Sequence, residues 1–266
     1  MNEIKKIFLT AALCLVLCSE AQAQIKIGKR TFDTGKLVEA GKNAATAITL
    51  SDRDIVELCA QSVALMDREN RIAPDDSPYA QRLKGLTQDI RVEGLNLNFK
   101  VYLTDDINAF ASGDGSVRVF SGLMDLMEDD ELMAVVGHEI GHVVHTDSKD
   151  GIKNAYLRAA ARSAASSAGG TLAKLSDSQL GDIAEAVAGA QFSQKQETEA
   201  DEYGVAFCVE NGLDPYAMSR SLEKLLKLSE GAQGQSALAQ KIFSDHPDNA
   251  KRVERTRALA DKATGK

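Results

Sequence analysis

The 266-residue chain is 44% apolar and 26% charged, the balance of a globular protein with enough apolar material for one sizeable core. Its net charge of −8 at pH 7, with no basic run, argues against nucleic-acid binding, which needs clustered Lys and Arg to neutralise phosphates. Beyond the N-terminus no window of about 18 uncharged apolar residues occurs, so no internal membrane-spanning helix is expected.

The N-terminal segment has its own pattern. Lys5 and Lys6 precede an apolar run from Ile7 to Cys18, the charge order and length of a secretory signal. Ala21-Gln22-Ala23 supplies a small-x-small cleavage site, so residues 1–23 are read as a signal peptide, with a periplasmic or secreted chain starting at Gln24. The competing reading is a lipid anchor at Cys18, after Leu15-Val16-Leu17, which makes the protein an outer-membrane lipoprotein. Cleavage leaves the net charge unchanged, since Glu3 and Glu20 offset Lys5 and Lys6, and it removes Cys14 and Cys18. Cys59 and Cys208 then stand open to two readings, one disulfide or two buried apolar thiols.

Residues 24–50 are small and polar with weak periodicity and are read as a linker or loosely packed lead-in to a domain spanning 51–266. Behind a Ser/Asp cap at Ser51, Ile55, Leu58, Cys59, Val63 and Met66 fall at helical spacing and predict an amphipathic helix. A second helix is expected from about Ser77. Leu95, Leu97, Phe99, Val101 and Leu103 then alternate strictly, the mark of a half-buried strand. The stretches "INAFA" and "SVRVFS" flank Gly113-Asp114-Gly115, which permits positive φ and predicts a hairpin or paired edge strands. After Gly122 the pattern is helical, so the fold class expected is α+β, mainly helical with a small antiparallel sheet. The stretch 158–192 is rich in Ala, Ser and Gly without large apolar anchors, and reads as tightly packed or mobile helix.

The chemistry concentrates in "VVGHEIGHVVH", residues 135–145, which hold three of the four histidines. Acidic Glu128, Asp129 and Asp130 stand where a helix begins. His138 and His142, four apart, share one face, and Glu139 is rotated about 100° beside them. That is the geometry of a Zn2+ site with an adjacent base; the alternative is a helix with two solvated or core histidines. His145 is turned away by most of a turn and is assigned to packing. Catalytic zinc needs a third protein ligand and an open position. Ser148 stands where a metzincin places its third histidine, which excludes that class. "QKQETEADEYG" offers Glu197 as ligand and, one turn later, Asp201 to accept the second ring N–H of a ligating histidine. The same residues also fit an ordinary acidic helix surface.

With these residues in view, the chain resembles the gluzincin zinc metallopeptidases, the family of HtpX, the CAAX prenyl protease and the Oma-type proteases, and within it the soluble periplasmic branch of BepA and LoiP. The resemblance runs over roughly residues 50–260 and rests on four ordered motifs: "NAFASGDGSVRVFSGLMDL", "HEIGH", "ETEAD" and "HPDNAKR". It implies a zincin-type fold around the H-E-x-x-H helix. His138, His142 and Glu197 correspond to the Zn2+ ligands, Glu139 to the general base and Asp201 to the outer acid, while Glu199 falls on a variable position. HtpX and the CAAX protease have membrane helices that this chain lacks. In the BepA-like branch the residue matching His246 can approach the zinc and block its open site. His246, held at a helix start by Pro247 and Asp248, is therefore open to three roles: inhibitory fourth ligand, hydrogen-bond donor to the transition state, or structural cap. Arg252 is open to contact with a substrate carbonyl, contact with a carboxylate, or a solvated helix face.

The function expected is a zinc-dependent endopeptidase that cleaves unfolded or misassembled envelope proteins by metal-activated water attack. Glu139 takes the water's proton and passes it to the leaving amine, with His246 or Arg252 assisting at the oxyanion. The substrate is expected to lie extended near Ser116–Phe120, with main-chain hydrogen bonds that ignore side-chain identity. The alternative is a zinc-containing chaperone or assembly factor with a latched or inactive site. Glu139 speaks against that reading, and His246 supports it, because four protein ligands close a zinc site.

Overall fold

Residues 24–27, 30–33, 50–162, 175–230, 245–246 and 249–266 are described by the computed structural model of the chain. Residues 1–23, with Cys14 and Cys18, the residues Pro247 and Asp248, and the middle of the 158–192 stretch lie outside the described residues. Within the 24–50 lead-in, β1 (Gln24–Ile27) and β2 (Arg30–Asp33) pair antiparallel.

Ser51 starts α1 (Asp52–Glu69) with a reciprocal cap: the Asp54 N–H donates to its hydroxyl, and its own N–H donates to the Asp54 carboxylate at 2.8 Å. Helix α2 (Pro78–Thr87) starts behind Ser77, with Pro78 at its first position. The alternating run at Leu95–Leu103 yields a strand only over β3 (Asn98–Tyr102). Strands β4 (Ala109–Ala111) and β5 (Ser116–Phe120) form the expected hairpin, with Ala109 opposite Val119. Its turn depends on Gly115, at φ +89°, where an added Cβ would lie 2.4 Å from the Asn96 carbonyl oxygen.

Sheet order is β3-β5-β4, with β3 parallel to β5, so the sheet is mixed and not wholly antiparallel. The chain crosses from β3 to the outer position, and the hairpin returns β5 into the gap between them. Ser121, just after β5, accepts the Thr104 N–H and donates to the Thr104 carbonyl, which pins the ends of β5 and β3 together. Val117 and Val119 are fully buried, as a central strand requires. The segment expected to run beside substrate, Ser116–Phe120, is thus interior, and β4 is an edge strand.

Helices α3 (Ser121–Leu126), α4 (Asp129–Val144), α5 (Lys149–Arg162), α6 (Asp177–Ala188), α7 (Gln194–Glu210), α8 (Ala217–Glu230) and α9 (Asn249–Thr264) complete a mainly helical α+β fold. Every residue of α4 from Glu131 to His142 is buried, so this helix runs through the core. A polar cluster ties α1 to the sheet. Asp67 accepts from Arg118 at 2.8 Å, Lys100 at 2.7 Å and Tyr102 at 2.7 Å, and Arg118 itself is 2% exposed. Burial by itself raises the Asp67 pKa, but these hydrogen bonds outweigh it and hold the carboxyl at about 2.

Cys59 and Cys208 are both free and buried, in separate apolar clusters, so of the two readings the structure has the buried thiols. Burial pushes the Cys208 thiol up to about 12. No helix among the described residues is long and apolar enough to cross a membrane.

Candidate active site

Close approach of two helices sets up the site. On α4, a Cβ added at Gly137 would lie 2.7 Å from the Phe207 ring, and one at Gly141 would lie 3.0 Å from the Tyr203 Cβ. Phe207 and Tyr203 belong to α7, whose Gly204 faces back onto the Ala134 carbonyl. Glycine at these positions lets the backbones come near enough for first-turn residues of α7 to reach the histidine face of α4.

The structure brings together His138 and His142 from α4, Glu197 from α7 and His246 from the segment before α9, all buried. His138 Nε2 lies 3.1 Å from His142 Nε2 and 3.3 Å from His246 Nδ1. Glu197 Oε1 lies 2.9 Å from His246 Nδ1 and 3.4 Å from His142 Nε2. A tetrahedral zinc with bonds of about 2.0–2.1 Å sets its ligand atoms about 3.3 Å apart, which matches these edges. The outer ring nitrogens both face carboxylates: His138 Nδ1 is 3.1 Å from Asp201 Oδ1 and His142 Nδ1 is 2.8 Å from Asp147 Oδ2. Carboxylates there favour protons on Nδ1. The two Nε2 lone pairs then converge on one point, an arrangement that suits a cation and repels otherwise.

Arg252 on α9 clamps the carboxylates. Its Nη1 is 2.5 Å from Glu197 Oε2, and its Nε and Nη2 donate to Asp201 at 3.0 and 2.7 Å. Of the roles open for Arg252, the structure shows the carboxylate contact, and the side chain is buried. Arg255, one turn further, adds a 2.7 Å bond to Asp201. Burial raises the pKa values of Glu197 and Asp201, yet the surrounding histidines and Arg252 outweigh it and hold both well below the usual carboxylate range. Burial alone lowers the pKa of both histidines of α4. It prevails at His138, whereas Asp147 and Glu197 push His142 up to about 9.

Glu139 is buried beside the cluster, its Oε1 3.6 Å from His246 Nε2. It borders a cavity of about 10 Å³ shared with Ala109–Ala111 of β4, Val187 of α6, Phe192 and His246. That volume holds no more than one water. Val187, Ala188, Ala190 and Phe192, from the described part of the 158–192 stretch, thus line this cavity.

His145 lies outside the cluster, exposed and edge-on to Tyr203. Glu199 pairs with Lys195 on the surface. Asp147, Phe192 and Arg255 were not singled out in the sequence. Phe192 stacks on the His142 ring with centroids 3.6 Å apart and planes 7° apart. Only Arg255 carried a signal, its spacing of one helical turn from Arg252.

The model of peptidase family M48 matches residues 79–260. The metalloprotease LoiP of Escherichia coli (strain K12) is 40% identical over 244 residues, covering 91% of this chain and 94% of that protein. The metalloprotease YcaL of the same strain is 38% identical over 228 residues, 85% of this chain and 87% of that protein. The β-barrel assembly-enhancing protease of the strain is 30% identical over 176 residues, 56% of this chain and 36% of that protein.

Proposed function

The chain belongs to peptidase family M48 and is a metalloendopeptidase, and on that premise we propose that it is a zinc enzyme of the bacterial envelope that cleaves unfolded or misassembled envelope proteins. The observation that carries the reading is the buried cage of His138, His142, Glu197 and His246, with Glu139 beside it. We assign His138, His142 and Glu197 as the ligands. Zinc held by them supplies Lewis acidity toward water and a peptide carbonyl.

The remaining chemistry belongs to the chain's own residues. Glu139 takes the proton of the attacking water and delivers it to the leaving amine. Asp201 orients His138 through Nδ1, and Arg252 holds Asp201 and Glu197 in register. His246 occupies the fourth corner and stands between the ligands and Glu139. We assign it as a latch that must withdraw before substrate enters, which favours this role over transition-state donor or cap. The substrate strand adds to β4, whose residues border the cavity; strand addition uses main-chain hydrogen bonds and so selects extended, unfolded segments over particular side chains.

The envelope location is supported by the secretory pattern of residues 1–23, with lipidation at Cys18 as the alternative attachment, and by the similarity to the β-barrel assembly-enhancing protease. The test is cleavage of one outer-membrane β-barrel protein offered unfolded and folded. Faster cutting of the unfolded form is expected, and equal rates on both forms would overturn the substrate assignment.

A further inference from the structure

The roles assigned so far leave Asp147 without one, although its side chain is only 6% exposed and lies at the cluster. It sits beyond the end of α4, so helical spacing does not deliver it to His142. A turn does. His145 caps α4, Thr146 takes φ +60°, and the Thr146 and Asp147 N–H groups donate to the carbonyls of Val143 and His142 at 3.0 and 2.9 Å. Among the described residues Thr146 is the one non-glycine at positive φ, and a β-branched residue there is strained. Such strain persists only where the surroundings hold it.

The turn is also fastened to the second ligand helix. Gln196, the residue before Glu197, accepts the Ser193 N–H at 2.9 Å to cap α7, and its amide donates to the Asp147 carbonyl at 3.3 Å. The chain therefore links His142 to Glu197 through Asp147 and Gln196, outside the metal cage. Phe192 covers one face of the His142 ring, so ring tilt is restricted by stacking and ring rotation by Asp147.

We propose that Asp147 is a positioning residue of the metal site: it holds the Nδ1 proton of His142 and so aims Nε2 at the ion, with Thr146 the strained hinge that places it there. This rests on the reading of the cage as a zinc centre.

The experiment is zinc affinity by competition with a chromophoric chelator for the wild-type protein, Asp147→Ala, Asp147→Asn and Thr146→Gly, with metal-free thermal unfolding of each. Nitrogen-15 spectra of the wild-type histidines, zinc-loaded, accompany it. Expected are an affinity about 10- to 100-fold weaker for Asp147→Ala, a smaller loss for Asp147→Asn, which keeps an acceptor, and near-wild-type affinity for Thr146→Gly, since glycine adopts that φ freely. Melting of metal-free Asp147→Asn stays at the wild-type value, and His142 of the wild type reads as protonated on Nδ1. Wild-type zinc binding matched by Asp147→Ala to within about twofold overturns the proposal and leaves the metal centre standing. So does a His142 Nδ1 without a proton, a result that needs no variant to fold. A wild-type protein that binds no zinc overturns both.

Discussion

The helix crossing that builds the site makes a prediction about one substitution at two places. Gly85, inside α2, has nothing within 4 Å of where a Cβ would go, whereas Gly137, inside α4, meets Phe207 at 2.7, 2.8 and 3.0 Å. Alanine in a helix interior is favoured over glycine by about 1 kcal/mol, and this gain applies at both sites. At Gly85 it acts alone, so Gly85→Ala is expected to stabilise by about 0.5–1 kcal/mol. At Gly137 the new methyl strikes the Cβ, Cγ and Cδ1 of Phe207, the root of a ring that is itself buried, and cannot be cleared by a rotamer change. Overpacking of this kind costs about 1–3 kcal/mol, towards the upper end for a buried ring root, which leaves a net loss of about 1–2 kcal/mol. For a domain of this size about 2–4 °C of Tm corresponds to each kcal/mol. Metal-free thermal unfolding should then show Gly137→Ala melting about 4 °C below wild type and Gly85→Ala about 2 °C above it. Because α7 must shift to admit the methyl, Gly137→Ala should also bind zinc more weakly, with Gly85→Ala unchanged. A Gly137→Ala protein as stable as Gly85→Ala would refute the close crossing and the placement of Glu197 that depends on it.

Other consequences follow from the same geometry. Asp67→Asn leaves the buried Arg118 without its carboxylate and is expected to cost about 3 kcal/mol in urea unfolding at pH 7. Since Asp67 is depressed from 3.8 to about 2 in the folded state, its contribution is present above about pH 4 and is lost as pH falls through about 2. The stability gap between wild type and Asp67→Asn should shrink over that window; a gap unchanged from pH 5 to pH 2 would contradict the assignment. Zinc removal by chelation should abolish cleavage and lower the melting temperature, by the equivalent of about 4 kcal/mol where free zinc had been a thousandfold above its dissociation constant, and a melting temperature indifferent to zinc would count against the cage. His246→Ala, which opens the fourth corner, should raise casein cleavage with zinc retained; unchanged or lost activity would remove the latch role.

How far the site could be read in the sequence depended on whether a residue's position follows from local periodicity. His138, Glu139 and His142 follow from helical spacing, and Glu197 and Asp201 from the same spacing on a second helix. Their meeting depends on Gly137 and Gly141, which the motif contains but does not explain. Asp147 was missed because its position depends on a positive φ at Thr146, a residue that does not announce a turn of that kind. Phe192, between α6 and α7, reaches His142 only through the packing of α6 on β4 and of α7 on α4. The strands at Ala109–Ala111 and Ser116–Phe120 were legible from alternation and Gly113-Asp114-Gly115, yet which of them forms the edge is a question of strand order, fixed by tertiary burial of Val117 and Val119. At Leu95 and Leu97 the alternation continued beyond the strand, since the ladder to β5 begins only at Asn98.

The central claim, that this cage is a zinc centre with Glu139 as its base, is tested most directly by casein cleavage with the wild-type protein beside Glu139→Gln, bound zinc being quantified in both. The account predicts equal zinc in the two samples and cleavage by the wild type alone. Cleavage by Glu139→Gln at the wild-type rate and equal zinc would contradict it.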